Sequence, residues 1–391
     1  MAPIYKLPAA GFAATAMTYG PARMGFGLFL SDFRETFSIS TQVAGLIAGL
    51  GFFGFLLGLL LATFLTRRFG PKFAVVAGLA AAAGGMALIA GAPGLPVFVA
   101  GVFLAMSSAG FTWAPFNDAV HDEIPDGSRA PTLSVISTGT SLGIAAAGLT
   151  ALGLNAAGLS WRMGWTGFAA ACALVLLVNW LALPRGAGTE APVTKRQWRD
   201  LRERSAIPLY IIALSFGTTS AIYISFAAER VAASGGLPGM PGAASAAIVF
   251  VLYGLVGLAG LGTGRLEPLL GLANLLRLLM AASTASLLLV ALTPTSWIGI
   301  GVSAGLQGVF VMMMSAVLAF WSERLFPALP AFSFAAVLLF VATGSVLGPI
   351  AAGFVSGVFG PTAMFAAAAV VPGATALMLR PGAIQARAVA A

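Results

Sequence analysis

Gly20-Pro21-Ala22-Arg23-Met24-Gly25-Phe26-Gly27-Leu28-Phe29-Leu30 places one guanidinium inside an apolar run that extends from about Pro8 to Leu30. At 1.5 Å per residue, that run can cross a hydrocarbon core of roughly 30 Å. Arg23 then lies about three or four residues past the midpoint, on the order of 5 Å from the bilayer centre. An Arg cannot be deprotonated there, so it must face water, a carboxylate, backbone carbonyls or a ligand.

The rest of the chain has the same apolar character. Hydrophobic residues make up 59% and charged residues only 8%, and the mean hydropathy is +0.98. A soluble domain carries about 25% charged residues, so this composition describes a polytopic membrane protein. The 49 glycines fit that reading, since small residues let membrane helices approach closely. A single cysteine, Cys172, excludes a disulfide within the chain, and a single histidine, His121, leaves no cluster for a metal. No cofactor is expected. The first apolar run is too long for the h-region of a cleavable signal.

Apolar runs of about 20 residues fall near 8–30, 43–65, 73–92, 95–116, 131–153, 163–183, 207–228, 242–262, 273–293, 295–319, 331–357 and 361–379. The expected fold class is therefore all-α and integral to the membrane, with about 12 transmembrane helices. Gly91-Ala92-Pro93-Gly94, Thr293-Pro294-Thr295-Ser296 and Gly360-Pro361 punctuate the borders. An even number of spans puts both termini on one side, and Lys and Arg distribute fifteen to three in favour of that side. Both termini are accordingly expected in the cytoplasm. The net charge of +8 is mostly this topology signal, so no nucleic-acid partner is expected.

One long polar segment, 184–206, separates the sixth and seventh spans. It contains Thr194-Lys195-Arg196-Gln197-Trp198-Arg199-Asp200-Leu201-Arg202-Glu203-Arg204, which suits either a helix lying on the anionic inner leaflet or a solvated linker. Domains are expected at 1–183 and 207–391, and they read as copies. Thr138-Gly139-Thr140-Ser141-Leu142-Gly143-Ile144-Ala145-Ala146-Ala147-Gly148 aligns with Thr343-Gly344-Ser345-Val346-Leu347-Gly348-Pro349-Ile350-Ala351-Ala352-Gly353, with seven identities in eleven. Two six-helix repeats joined by a basic loop is a layout in which a ligand binds at the midplane between halves that rock.

With these features on the page, the chain resembles the major facilitator superfamily over nearly all its length. Trp161-Arg162-Met163-Gly164-Trp165 resembles the W-R-x-x-[FW] start of the sixth helix, and Leu347-Gly348-Pro349-Ile350-Ala351-Ala352-Gly353 resembles the G-P-x-x-x-G pattern of the eleventh. Arg23 followed by Gly25-Phe26-Gly27 is similar to a bacterial branch whose substrates are largely unassigned, which implies a bacterial inner membrane. The superfamily's loop G-x-x-x-D-R-x-G-R-[KR] is only partly matched. Arg68, Phe69, Gly70 and Lys72 fit, but Arg67 stands at the Asp position, Thr63 at the first Gly and Pro71 at the next Arg.

The resemblance implies a secondary transporter working by alternating access on a small-molecule substrate. Arg23 selects an anion as that substrate if it faces the ligand; the structural alternative is an Arg that snorkels or pairs within the bundle. No Asp or Glu lies deep in any span to balance it. Tyr19 lies one turn earlier on the same face. Among the cavity-lining helices of the superfamily, Trp113, Asn117, Tyr223 and Gln307 stand out as large polar groups that are costly to bury in lipid. Hydroxyls such as Ser107, Thr138, Ser215 and Ser315 more commonly bond their own backbone.

Gating residues are sought at both ends. Asp32, Arg34, Glu35, Arg162, Glu229 and Arg230 gather at one face, and Arg68 lies in the loop at the other. Asp118 is a proton site only if its helix extends inward and buries it. Otherwise it joins His121, Asp122, Glu123 and Asp126 in a solvated cluster facing Arg129 or Arg324. A coupled proton or a counter-anion both remain open, and a monomer is expected. Two other functions are weighed. Efflux of apolar compounds would use Met312-Met313-Met314 as an adaptable surface. A membrane sensor or enzyme lacks a catalytic set in the bundle.

Overall fold

The computed structural model describes residues 3–184, 206–327, 330–379 and 384. The expected amphipathic segment at 194–204 lies outside them. Among the described residues fifteen α-helices follow one another. They are α1 (Pro3–Tyr19), α2 (Pro21–Leu28), α3 (Leu30–Phe37), α4 (Thr41–Phe69), α5 (Pro71–Gly91), α6 (Leu95–Ser107), α7 (Trp113–Glu123), α8 (Asp126–Ala156), α9 (Trp161–Ala182), α10 (Ile207–Ala233), α11 (Gly242–Gly257), α12 (Thr263–Leu270), α13 (Leu272–Leu292), α14 (Trp297–Leu325) and α15 (Pro330–Met378).

These make twelve spans. The first is α1 to α2, and the polar α3 carries it beyond the apolar run. The fourth is α6 and α7 joined by a 3₁₀ turn at Ser108–Phe111, and the eighth is α11 and α12 joined by another at Leu258–Gly262. The last two spans are the halves of α15, which turns at Gly360 (φ 83°) before Pro361. Several helices run past the apolar windows. The fourth ends at Glu123, so Asn117 and Asp118 are helical, and the second reaches Phe69.

Local chemistry accounts for the borders. Ser40, Ser160 and Ser296 cap the second, sixth and tenth spans by accepting from backbone N–H groups of Val43, Arg162 and Gly299. On the face that carries the termini, Gly70 (φ 85°) ends the second span and Gly271 (φ 73°) ends the eighth. Both occupy a backbone region that costs a side-chain-bearing residue, and both halves use the same turn.

The repeated Thr-Gly-x-x-Leu-Gly motif has a packing reason. A Cβ at Gly139 or Gly143 would strike the backbone of Phe12 or Ala16 in α1, and one at Gly344 or Gly348 would strike Leu214 or Thr218 in α10. The fifth span thus lies backbone to backbone on the first, and the eleventh on the seventh, in equivalent registers. Large apolar side chains such as Leu181, Leu269, Ile298 and Leu377 remain exposed on the perimeter, where lipid covers them.

The halves meet tightly on the face opposite the termini. Gly45 and Gly49 of α4 abut Pro349, Ile350 and Gly353 of α15, Gly27 of α2 abuts Ile224 of α10, and Gly148 of α8 abuts Ala247 and Val251 of α11. Of the three ion pairs formed between described residues, one joins the halves, and it lies on this same face, between Arg34 and Glu229.

Candidate functional site

Pro21 lacks an N–H and stands at N1 of α2, so the first span breaks at Gly20 and restarts. Gly20 makes the close approach to Gly143 of the fifth span that this break requires. Arg23 therefore sits in the first turn of a new half-helix near mid-membrane, and Tyr19 closes the preceding one. The Arg23 guanidinium carbon lies 4.3 Å from the Phe55 ring centre, 5.5 Å from Phe52 and 5.4 Å from Tyr19. Distances of this order carry cation–π attraction.

What the guanidinium lacks is equally definite. Its Nε is buried without a hydrogen-bond partner, and no carboxylate among the described residues pairs with it. A guanidinium carries five N–H donors in a planar fork, and the neighbours seen around this one are the rings of Phe55, Phe52 and Tyr19. On the terminus side, Phe55 and Leu59 pack with Ala109 and Ala342, with Tyr19 and Leu338 alongside. On the opposite side α2 rests on α10.

The second half supplies tyrosines. Tyr253 of α11 is fully buried, its hydroxyl has no partner among the described residues, and its helix packs on α2, which carries Arg23. Its ring lies 6.2 Å from that of Tyr223, whose hydroxyl shares a 3.2 Å hydrogen bond with Ser303. Ser303 is itself bonded to Ser286. Gln307, one turn from Ser303 on α14, is fully buried with neither amide atom bonded.

The expected residues therefore sort into groups. Arg23 and Tyr19 are together, and Tyr223 reaches them through Tyr253. Gln307 shares the face of Ser303 within the second half. Asn117 turns back to donate to Trp113 O at 2.9 Å, and Trp113 packs into the core beside Thr112, whose hydroxyl bonds Thr18 at 3.0 Å. Tyr253, Phe52 and Phe55 were not singled out by sequence reasoning. Tyr253 carried a usable signal as the single tyrosine of the eighth span.

Among the gate residues, Arg34 pairs with Glu229 and also donates to Ile39 O at 3.2 Å. Arg162 instead donates to Ala90 O at 2.8 Å and stacks on Trp161, and Arg230 donates to Ala291 O and Thr362. Asp32, beyond the membrane-spanning run, forms no ion pair with another described residue; burial pushes its carboxyl above the ordinary carboxylate range, and the Glu35 charge adds to that. At the terminus face Arg68 lies over Phe69, Arg129 pairs with Asp126, and Arg324 forms a two-pronged pair with Glu267 rather than joining the cluster around His121. Asp118 is partly buried near the end of α7. No group of three or more potential metal ligands occurs among the described residues.

Two six-helix halves enclosing polar groups at their midplane define a membrane transporter rather than an enzyme. Residues 12–304 match the Major Facilitator Superfamily, and the chain belongs to that superfamily. No curated protein matches it in sequence. In three dimensions it is similar to the nucleoside transporter NupG (14% identity, TM-score 0.76, covering 96% of this chain and 98% of that one). It is similar also to a peptide transporter of the POT group (14%, TM-score 0.78, 96% and 93%). A bacterial homolog to the human lysosomal transporter Spinster, in an inward-facing and occupied conformation, has the same fold (17%, TM-score 0.71, 95% and 94%).

Proposed function

We propose that this transporter moves a small organic anion by alternating access, with Arg23 as the charge partner of the substrate. One observation carries the reading: a guanidinium near mid-membrane with aromatic neighbours and, among the described residues, neither a paired carboxylate nor an acceptor for its Nε. A buried cation in that setting is costly until an anion pairs with it. The structural alternative, an internally paired Arg, would require an acceptor that the described residues do not provide.

On this reading the terminus face is cytoplasmic, the membrane is the bacterial inner membrane, and a monomer is the working unit. The residues expected to touch or frame the substrate are Arg23, Tyr19 and Tyr223, with Trp113, Asn117 and Gln307 farther along the lining. Arg34 with Glu229 latches the outer face, while Asp32 and Arg162 flank that latch, and Asp118 and Arg68 act at the inner one. The absence of a deep carboxylate favours exchange against a second anion, or entry of a proton on the anion itself.

A thermal-shift screen of purified protein against carboxylates and lipophilic cations tests the reading. Stabilisation by carboxylates is expected. Stabilisation by lipophilic cations alone would transfer the assignment to efflux of apolar compounds, the reading suggested by Met312, whose side chain packs near Gly257 and Gly260.

A further inference from the structure

We propose that the Tyr253 hydroxyl is the second anchor of the substrate, so that one carboxylate bridges Arg23 of the first half and Tyr253 of the second, and that the substrate is a monocarboxylate without an ammonium group. The inference rests on the anion reading of Arg23 and adds to it a second residue and a substrate class. A Tyr hydroxyl enclosed in protein ordinarily finds an acceptor, because an unmade hydrogen bond there leaves the desolvation of the group uncompensated. Tyr253 has none, although its ring is fully buried. Arg23, whose Nε likewise lacks an acceptor among the described residues, lies on α2, which packs on α11, the helix of Tyr253.

Two buried donors without an acceptor, carried by two helices that pack together, are complementary to a group that only accepts. A carboxylate has two oxygens and about four lone-pair sites, enough for a guanidinium fork and a phenol at once. Because the donors come from opposite halves, a ligand held by both joins the halves at their centre.

The exclusion of an ammonium follows from the acidic residues. Three of the twelve, Asp32, Glu35 and Glu229, lie at the opposite face. Asp118, Asp122, Glu123, Asp126, Glu267 and Glu323 lie toward the terminus face, and Glu190, Asp200 and Glu203 belong to the polar segment between the sixth and seventh spans. None of the nine described ones is at the level of Arg23. An ammonium brought there would meet a second cation and no counter-charge, in surroundings where like charges interact strongly. A zwitterion and a cation are therefore poorer fits than a monoanion, and a second carboxylate would find no further Lys or Arg at this level among the described residues.

The experiment uses the full-length protein in detergent and reads ligand-induced thermal stabilisation. The probes are acetate, pyruvate, benzoate and 3-phenylpropanoate, with 3-phenylpropanamide and phenylalanine as the neutral and zwitterionic forms of the last. Wild type is expected to be stabilised by at least one of the monocarboxylates and by neither control. Tyr253→Phe, which removes only the hydroxyl, should weaken carboxylate binding about 10- to 100-fold, the scale of a hydrogen bond to a charged group. Carboxylate binding that is lost in Arg23→Gln but unchanged in Tyr253→Phe overturns the role of Tyr253 and leaves the Arg23 reading standing. Phenylalanine binding as tightly as 3-phenylpropanoate overturns the substrate class, and this comparison needs no variant to fold. No stabilisation of wild type by any carboxylate overturns the Arg23 reading and this inference with it.

Discussion

The Arg23 guanidinium carbon lies 4.3 Å from the centre of the Phe55 ring, although the two residues belong to different spans. Attraction between a desolvated cation and an aromatic face is worth about 0.5 to 2 kcal/mol. Phe55→Leu removes the quadrupole while keeping an apolar side chain. It is expected to destabilise the protein by that amount plus a packing cost of up to about 1.5 kcal/mol. In an Arg23→Gln background the cation–π part should vanish, so a double-mutant cycle measured by denaturation in detergent isolates it. A coupling energy of zero would mean that the ring is packing only.

The ion pair between Arg34 and Glu229 is the outer latch of the account. Both side chains are partly shielded, so the pair is expected to bias the inward/outward equilibrium by about 1 kcal/mol. Glu229→Gln should raise labelling of a single cysteine placed at Ser31, beside the pair, in a background where Cys172 is replaced. Arg162→Gln should leave labelling unchanged, because Arg162 is held by Ala90 O and Trp161 on its own half. The reverse pattern would move the latch to Arg162.

Close backbone contacts yield a prediction about conformation rather than chemistry. A Cβ at Gly27 would meet the carbonyl of Ile224 across the interface between halves, whereas one at Gly143 would meet Ala16 within the first half. Gly27→Ala is expected to fold and to favour the state open at the opposite face. Gly143→Ala should destabilise the fold by about 1 to 3 kcal/mol, the usual cost of overpacking. Gly153, with nothing near its absent Cβ, is the control. Equal effects of the first two on melting temperature would remove the distinction between a gate glycine and a packing glycine.

Much of this arrangement was legible in the sequence, and the reason differs by residue. The twelve spans follow from run length, because lipid forces every backbone polar group to be satisfied within a helix. Arg23 was visible because a charge in an apolar run needs an explanation wherever it sits. The repeat at Thr138 and Thr343 was visible because close helix packing tolerates only small residues at fixed spacing. Tyr253, Phe52 and Phe55 were not, since an aromatic in a membrane helix looks the same whether it faces lipid, core or a guanidinium. Asn117 as a lining residue and Arg162 as a gate residue were singled out by residue type, and their bonds to Trp113 O and Ala90 O are details that only helix rotation and neighbour distance could reveal.

Topology has its own check, motivated by the fifteen-to-three distribution of Lys and Arg. With Cys172 replaced, a cysteine at Ser234 should react with an impermeant reagent from outside intact cells, and one at Thr189 should not. Reaction at Thr189 with protection of Ser234 would invert the assignment.

The central claim is that Arg23 pairs with an anionic substrate, and its most direct measurement is carboxylate binding and proteoliposome transport by wild type, Arg23→Gln and Arg23→Lys. Loss of the partner of a desolvated charge should cost about 2 to 5 kcal/mol of substrate affinity in the Gln form. The Lys form, which keeps the sign but not the two-pronged donor, should recover only part of it. All three forms should keep comparable melting temperatures without ligand. A Gln form that folds normally and still binds and moves the carboxylate at wild-type strength would contradict the account.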